Sequence, residues 1–244
     1  MKIAFALSLA SLLLALSAQG QTAAQQKPRA VIELFTSQGC SSCPPADKLM
    51  TELAKDPSLI VLTLPVDYWD YLGWKDTLAH SAFTYRQKAY SAMRGDRQVY
   101  TPQAVINGAA HAVGSERVAI DQAILTTRTQ AGVLSVDVRI EKGEGGLRAV
   151  LPAAQGLSGH VWVLPMVKER IVQIGRGENT GRSVTYSNVV RGMSRIASWN
   201  GEAMTIDIPA TAVSSDAEGV IVLVQAGSEK KPGAIIGAAR RMNP

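Results

Sequence analysis

The spacing of hydrophobic residues in the first part of this chain is typical of alternating strands and helices. Residues 30–36 (AVIELFT) and 59–66 (LIVLTLPV) are apolar, β-branched runs that predict buried strands. Between them, residues 46–55 carry apolar side chains at helical spacing, and the Asp56-Pro57 pair ends the predicted helix. This order of strand, helix and strand predicts the beginning of an α/β unit.

The α/β pattern continues to about residue 130. Residues 67–100 are predicted to be helical, and residues 104–107 and 111–113 predict a hairpin around an Asn-Gly turn. Residues 116–128 again show helical spacing. We therefore predict an α/β domain over residues 28–131.

The hydrophobic pattern then changes to alternation with a period of two, which is typical of strands with one buried face. Runs of this kind are separated by Gly, Pro and Ser, and they comprise residues 133–140, 147–151, 160–167, 184–190, 204–208 and 219–225. Regular short strands of this kind predict an all-β antiparallel sandwich-like domain over residues 132–244. We place the domain boundary near Ala131 and Gly132.

The first 20 residues predict a secretory signal peptide. The basic Lys2 is followed by an apolar run over residues 3–16, and Ala18 and Gly20 put small residues at the −3 and −1 positions of a cleavage site. A membrane-spanning helix needs about 20 apolar residues, so an uncleaved membrane anchor is the alternative. We expect a periplasmic or secreted protein with no membrane span after removal of the signal.

The net charge of the chain is +5, from 25 Lys and Arg against 20 Asp and Glu. Its basic residues are scattered, whereas nucleic-acid-binding proteins usually concentrate positive charge on one face. The sequence therefore predicts no nucleic-acid partner.

The two cysteines of the chain, Cys40 and Cys43, lie only three residues apart. A disulfide that closes so short a loop contributes only about 2 kcal/mol, so it is poorly placed as a purely stabilising crosslink. A cysteine at the start of a helix faces unpaired N–H groups and the positive end of the helix dipole, which favour the thiolate that attacks disulfides. We therefore predict Cys40 as an exposed nucleophile and Cys43 as a more buried resolving thiol.

Four segments resemble the secreted bacterial thioredoxin-like family catalogued as domain of unknown function 1223. They are ELFTSQGCSSCPPAD, PVDYWDYLGWKD, VYTPQAVING and IGRGENTGRSVTYSNVV, and together they span most of the chain after the signal peptide. The resemblance implies that residues 28–131 form a thioredoxin-like domain. The family carries no settled biochemical function.

The resemblance also implies roles for individual residues. In thioredoxin-like proteins a cis proline precedes the third core strand and packs beside the cysteines, and Thr101 and Pro102 occupy that place here. A buried carboxylate on the strand before the active site accepts a proton from the resolving cysteine, and Glu33 lies on the matching strand. The alternative for Glu33 is a structural acid. Because Ser41 and Ser42 replace the residues common in reductants and oxidants, the direction of electron flow stays open.

Three functions are compatible with these residues. The first is a thiol–disulfide oxidoreductase that acts on protein thiols or disulfides, with a membrane protein as a candidate redox partner. The second is a non-enzymatic binding protein whose Cys40–Cys43 disulfide is inert. The third is Cu(I) handling by the two thiolates, although no third ligand can be identified. We expect no cofactor and no resident metal, because His111 and His160 have no partners at ligand spacing and His80 is expected to be structural.

Two further segments are candidates for contacts. Seven aromatic residues are predicted either to line a groove for an unfolded polypeptide or to pack helices onto the core. They are Tyr68, Trp69, Tyr71, Trp74, Phe83, Tyr85 and Tyr90. The glycine-rich residues 174–182 predict a hairpin or an interdomain contact loop, in which Arg176 and Arg182 pair with Asp67 or Asp70.

Overall fold

Strands and helices alternate in the first half of the chain. The computed structural model describes residues 26–242, so the predicted signal peptide at residues 1–20 lies outside the described residues. The elements are β1 (Ala30–Thr36), α1 (Pro44–Leu53), β2 (Leu59–Pro65), a short 3₁₀ helix (Asp70–Leu72), α2 (Ser81–Arg94), β3 (Gln103–Ile106), β4 (Ala110–Val113) and α3 (Arg117–Arg128). β1 pairs with β2 in parallel and with β3 antiparallel, and β4 pairs antiparallel with β3.

The second half of the chain is built from strands. They are β5 (Arg139–Gly143), β6 (Gly146–Leu151), β7 (Gly159–Gln173), β8 (Ser183–Val190), β9 (Ser194–Trp199), β10 (Met204–Asp207), β11 (Gly219–Gly227) and β12 (Pro232–Met242), with a 3₁₀ helix at Ala210–Ala212. β10, β6 and β5 form a small antiparallel sheet of their own. No helix within residues 26–242 is long and apolar enough to cross a membrane.

The main sheet crosses the boundary that the sequence predicts near residues 131 and 132. Its nine strands lie in the order β12-β11-β7-β8-β2-β1-β3-β4, with β9 also pairing with β7, so five of the nine come from the second half. β8 joins β2 in parallel at the Thr63–Val189 pair, and the Thr63 hydroxyl donates to the carbonyl of Ser187 at 2.6 Å. Every residue of β2 is buried, so the backbone groups on its outer edge need partners, and β8 supplies them around Thr63.

Alternate residues of β1 face two different layers of the core. Ile32 and Leu34 pack with Met50 of α1 and with α3 on one side of the sheet. Val31 and Phe35 pack on the other side with α2 and with strands of the second half. Because side chains alternate along a strand, Glu33 belongs to the α2 side.

Two segments differ from the elements that the sequence predicts. Residues 67–80 are mostly irregular, because carboxylate oxygens of Asp70 and Asp76 accept backbone N–H groups that a helix would use. Residues 133–138 form no regular strand, and Val136 makes only an isolated bridge to Gly237. β9 and β12 were not predicted from the sequence; β9 pairs antiparallel with β7, and β12 pairs antiparallel with β11.

A buried polar network joins β1, α2 and β11. The Arg86 guanidinium donates from Nε to Glu33 Oε1 at 2.6 Å and from Nη2 to Glu33 Oε2 at 3.1 Å. The Tyr90 hydroxyl donates to Glu33 Oε2 at 2.6 Å, and Arg86 Nη1 donates to Gln225 Oε1 at 3.0 Å. Glu33 is fully buried and Arg86 nearly so, which makes each charge dependent on the other.

We expect Arg86→Met to lower the free energy of unfolding by about 3–5 kcal/mol, because it leaves the Glu33 carboxylate buried without a counter-charge. Chemical denaturation of the oxidised protein measures this. The matched control is Arg117→Met, which removes an exposed pair with Asp121 and should cost less than about 1 kcal/mol. Equal effects of the two substitutions would show that the buried network contributes no special stability.

Candidate functional site

The two cysteines form a disulfide immediately before α1. Cys40 and Cys43 are joined with an Sγ–Sγ distance of 2.11 Å. The Cys43 N–H donates to the carbonyl of Cys40 at 3.2 Å, and Cys43 is the N-cap of α1. Pro44 and Pro45 occupy the first helical positions, where the lack of an N–H is no loss. As the sequence predicts, the pair lies at the beginning of a helix.

The predicted exposure of Cys40 is not found. Cys40 is 1% exposed and Cys43 is fully buried, while Ser41 and Ser42 between them are exposed. The Ser42 hydroxyl lies 3.4 Å from Cys40 Sγ and donates to the carbonyl of Thr101 at 3.4 Å. The prediction of an exposed Cys40 was wrong: the residue is buried, and its backbone carbonyl is bonded by Asn179, which lies 139 residues away along the chain.

Thr101 and Pro102 lie beside the first turn of α1. Their peptide bond is cis, as the resemblance implied. A Cβ placed on Gly114 would lie 3.1 Å from Pro102 Cβ and 3.2 Å from Ala46 Cβ, so these three residues meet at one point. The Thr101 hydroxyl accepts a hydrogen bond from Trp69 Nε1 at 2.8 Å. Both predicted residues therefore belong to the surroundings of the disulfide.

Gln38 fixes residues 37–43, the turn that contains both cysteines and is called the cysteine turn. Its backbone N–H donates to Asp76 Oδ2 at 2.8 Å, and its side-chain Oε1 accepts from Trp74 Nε1 at 2.8 Å. Its Nε2 donates to the Thr77 hydroxyl at 3.1 Å. Because Gln38 is fully buried and bonded on both its backbone and its side chain, the position of the cysteine turn is determined by residues 74–77.

Asp47 is a buried carboxylate one helical turn after Cys43. Residues four apart lie on the same face of a helix, so Asp47 follows Cys43 on the inner side of α1. Its Oδ1 accepts a hydrogen bond from the Thr36 hydroxyl at 2.8 Å, and its Oδ2 has no hydrogen-bond partner among the described residues. Burial raises the pKa of Asp47 well above its ordinary value of 3.8, and the nearby Asp76 raises it further against the Thr36 hydrogen bond.

Asp76 and Tyr186 complete the buried polar region around Asp47. Burial raises the pKa of Asp76, although backbone N–H groups of Gln38 and Leu78 stabilise its charged form. Burial also raises the pKa of the Tyr186 phenol, and the negative charges of Asp47 and Asp76 add to this shift. Tyr186 lies on β8, so the second half of the chain contributes to the region behind the disulfide.

Glu33 does not face the cysteines. Its carboxylate is bound by Arg86 and Tyr90 on the α2 side of the sheet, whereas α1 packs on the opposite side. The geometry therefore gives Glu33 the structural role that the sequence left as its alternative. The buried acid near the disulfide is Asp47, which sequence reasoning missed. The sequence could have identified Asp47, because it lies four residues after Cys43 in the predicted helix and therefore on the same helix face.

The aromatic residues predicted to line a groove or to pack helices differ in burial, and some of them lie on α2. Phe83 and Tyr90 are fully buried in the core. Trp69 and Trp74 are partly buried and bond to residues around the cysteine turn, while Tyr71 is 78% exposed. Tyr71 and, at 47% exposure, Tyr85 of α2 are the members of the predicted set that present a large aromatic surface to solvent.

The predicted contact loop, residues 174–182, does not make the ion pairs expected of it. Within residues 26–242, Arg176 and Arg182 form no ion pair with Asp67 or Asp70. The predicted contact loop instead reaches the cysteine turn through Asn179, whose Nδ2 donates to the carbonyl of Cys40 at 2.8 Å.

The three histidines lie in separate places. His80 caps α2, His111 lies 3.2 Å from Asp96, and His160 contacts Ser198. No group of three or more His, Cys, Asp or Glu residues within the described part of the chain is arranged to hold a metal.

Comparison with known proteins shows the family. The family model described as "Protein of unknown function (DUF1223)" matches residues 31–225, so the chain belongs to this family. The crystal structure of protein AGR_C_4864 from Agrobacterium tumefaciens is similar, with a TM-score of 0.79 and 33% identity over 90% of this chain and 96% of that one. HBP35 of Porphyromonas gingivalis shares the fold, with a TM-score of 0.53 and 13% identity over 88% of this chain and 75% of that one. No curated protein matches the chain.

We expect Asp47→Asn to stabilise the oxidised protein at neutral pH. Folded Asp47 holds its proton more tightly than the unfolded chain does, so the free energy of unfolding falls as the pH rises from about 3.8 through the raised pKa. The amide removes this loss, so the difference in free energy of unfolding between the two proteins should grow with pH in favour of Asp47→Asn. Denaturation curves at several pH values measure it, and the two proteins should agree below pH 3.8.

Asp56→Asn is the control with the opposite sign. Hydrogen bonds from Ser58 lower the pKa of Asp56, so its carboxylate contributes stability above its ordinary value of 3.8 that is lost as the pH falls through the folded pKa. This variant should therefore be less stable than the wild type at neutral pH. A loss of stability in Asp47→Asn at neutral pH would mean that the buried carboxylate is ionised and satisfied.

Proposed function

We propose that this protein is a periplasmic or secreted thiol–disulfide oxidoreductase of thioredoxin-like type that acts on protein thiols or disulfides. The observation that carries the proposal is the placement of the disulfide. The only two cysteines of the chain are bonded at the N-terminus of α1, and an acid with a raised pKa lies one turn behind them. A helix N-terminus stabilises a thiolate, and a neutral acid can supply or accept the proton of a leaving thiol.

The proposed reaction is thiol–disulfide exchange. A partner thiolate attacks Cys40 Sγ, forms a mixed disulfide with it and breaks the Cys40–Cys43 bond, so that Cys43 leaves as a thiolate. Asp47 transfers its proton to Cys43. A second partner thiolate then attacks the partner sulfur of the mixed disulfide and releases Cys40 as a thiolate, which takes its proton from solvent. The partner dithiol loses two electrons to become a disulfide, and the protein gains them as two thiols; the reverse sequence oxidises the protein.

The order of the elements supports the thioredoxin-like assignment. β1, α1 and β2 form a parallel β-α-β unit, β3 pairs antiparallel with β1, and Pro102 lies beside the first turn of α1. The small loop closed by the disulfide supports a reactive role over a stabilising one. A disulfide between the two cysteines also suits an oxidising compartment outside the cytoplasm.

The specific competitor is a binding protein whose disulfide is inert. The burial of Cys40 favours this alternative, because an attacking thiolate must reach the sulfur. The two functions differ in the reduction potential that they require. Structural disulfides of secreted proteins have potentials below about −300 mV, whereas catalytic ones are higher.

We expect the Cys40–Cys43 couple to have a reduction potential above about −300 mV. Equilibration in glutathione buffers, followed by alkylation and mass measurement, gives this value. In the same buffers Cys43→Ser should form a stable mixed disulfide between Cys40 and glutathione, because the resolving thiol is absent. Cys40→Ser is the matched control and should form at least tenfold less. A potential below −300 mV together with equal adducts of both variants would leave the inert disulfide as the function.

The second expectation concerns the proton carried by Asp47. Asp47→Asn should slow reduction of the disulfide by dithiothreitol about tenfold at pH values below the raised pKa, because Cys43 then leaves without a proton donor. Above that pKa the two rates should converge. A constant ratio at every pH would mean that Asp47 acts only through structure, and Asp56→Asn should match the wild type throughout.

A further inference from the structure

The loop between β7 and β8 places one amide side chain on the cysteine turn. Asn179 is 1% exposed, and its Nδ2 donates both to the carbonyl of Gln38 at 2.9 Å and to the carbonyl of Cys40 at 2.8 Å. Within residues 26–242 these are the hydrogen bonds that join residues 174–182 to the cysteine turn. The contact links parts of the chain that lie 139 and 141 residues apart.

The loop has a fixed internal shape that presents Asn179 at its tip. Ile174 and Gly181 are bonded across the base of the loop, and the Arg182 N–H donates to the carbonyl of Asn179 at 3.1 Å. Gly177 adopts a φ of +80°, a conformation that side chains other than glycine rarely adopt. A Cβ at Gly175 would lie 3.1 Å from the Trp74 ring, so the loop rests on Trp74. These contacts fix the backbone that carries Asn179, and the side-chain amide then reaches the carbonyls of Gln38 and Cys40.

Only one of the two polar atoms of the Asn179 carboxamide forms hydrogen bonds among the described residues. Its Nδ2 is bonded twice, but its Oδ1 is buried and has no hydrogen-bond partner among the described residues. A buried oxygen without a partner costs free energy that release to water recovers. The contact thus combines two favourable hydrogen bonds with one unfavourable group, which makes its net stability small.

From these contacts we infer that Asn179 is a latch over the disulfide: it keeps Cys40 covered, and release of its two hydrogen bonds lets a partner thiol reach Cys40 Sγ. Asn179 is then a positioning residue that determines which partners react. The inference deepens the proposed function and rests on it for its biological role, although the covering of the disulfide can be tested by itself.

The test is the rate at which dithiothreitol reduces the oxidised protein. In this reaction dithiothreitol gives up two electrons and becomes a cyclic disulfide, and Cys40 and Cys43 become thiols. Asn179→Ala removes both hydrogen bonds together with the unpartnered Oδ1 and should increase the rate about fivefold, because two bonds less the cost of that oxygen leave about the net strength of one ordinary hydrogen bond. Asn179→Asp keeps the shape but directs a carboxylate at two carbonyl oxygens, so it should also react faster than the wild type.

Two controls separate the latch from a general loss of stability. Thr180→Ala removes a hydroxyl that donates only within the loop, to the carbonyl of Gly177, and should react like the wild type. Asn107 is another buried asparagine with two side-chain hydrogen bonds, to the N–H of Val31 and the hydroxyl of Thr127. Asn107→Ala should therefore lower the unfolding midpoint at least as much as Asn179→Ala while its reduction rate stays within about twofold of the wild type.

The possible outcomes are distinct. Equal rates for the wild type, Asn179→Ala and Asn179→Asp would overturn the latch and leave the proposed oxidoreductase untouched. Faster reduction of Asn107→Ala to the same extent would also overturn it, because opening would then be global. Faster reduction of both Asn179 variants, in a protein whose disulfide stays oxidised in glutathione buffers, would support the cover and contradict the oxidoreductase.

Discussion

The parallel contact between β2 and β8 is the constraint on which the rest of the structure depends. β2 is buried along its whole length, so the backbone groups on its outer edge need partners, and β8 provides them around Thr63. Once β8 occupies that edge, the β7–β8 loop extends to the cysteine turn and Tyr186 enters the buried region behind it. The site is therefore assembled from both halves of the chain, although both cysteines come from the first.

Two buried acids on opposite sides of the sheet show how environment decides the role of a carboxylate. Glu33 accepts hydrogen bonds from Arg86 and Tyr90, so its charge is matched and its contribution is to the stability of the fold. Asp47 accepts one hydrogen bond from a neutral hydroxyl and has Asp76 nearby, so burial favours its protonated form. An acid that holds a proton near a disulfide can take part in exchange, whereas an acid fixed in an ion pair cannot do so without breaking the pair.

The sequence predicted those features that depend on local patterns. The elements β1, α1, β2, α3 and most later strands follow from periodicity, and the position of the cysteine pair before α1 follows from Pro44 and the apolar spacing behind it. The pairing of β8 with β2 and the bond from Asn179 to Cys40 join residues that are distant along the chain. The irregular segment before α2 follows from side-chain hydrogen bonds of Asp70 and Asp76, which periodicity does not reveal. Glu33 was assigned by analogy of its strand position, and only the placement of Arg86 revealed the side to which it points.

Burial of a disulfide and reactivity are compatible when the cover is held by few and weak bonds. An exposed thiolate in an oxidising compartment reacts with any thiol or oxidant that it meets, because reactivity follows thiolate character and exposure. A covered disulfide reacts only with partners that displace the cover. On the proposed mechanism, selectivity comes from Asn179 in the second half of the chain and proton transfer comes from Asp47 in the first. On this proposal the sheet that both halves share has a functional consequence. It holds the β7–β8 loop, which controls access to Cys40, against the start of α1, where the exchange takes place.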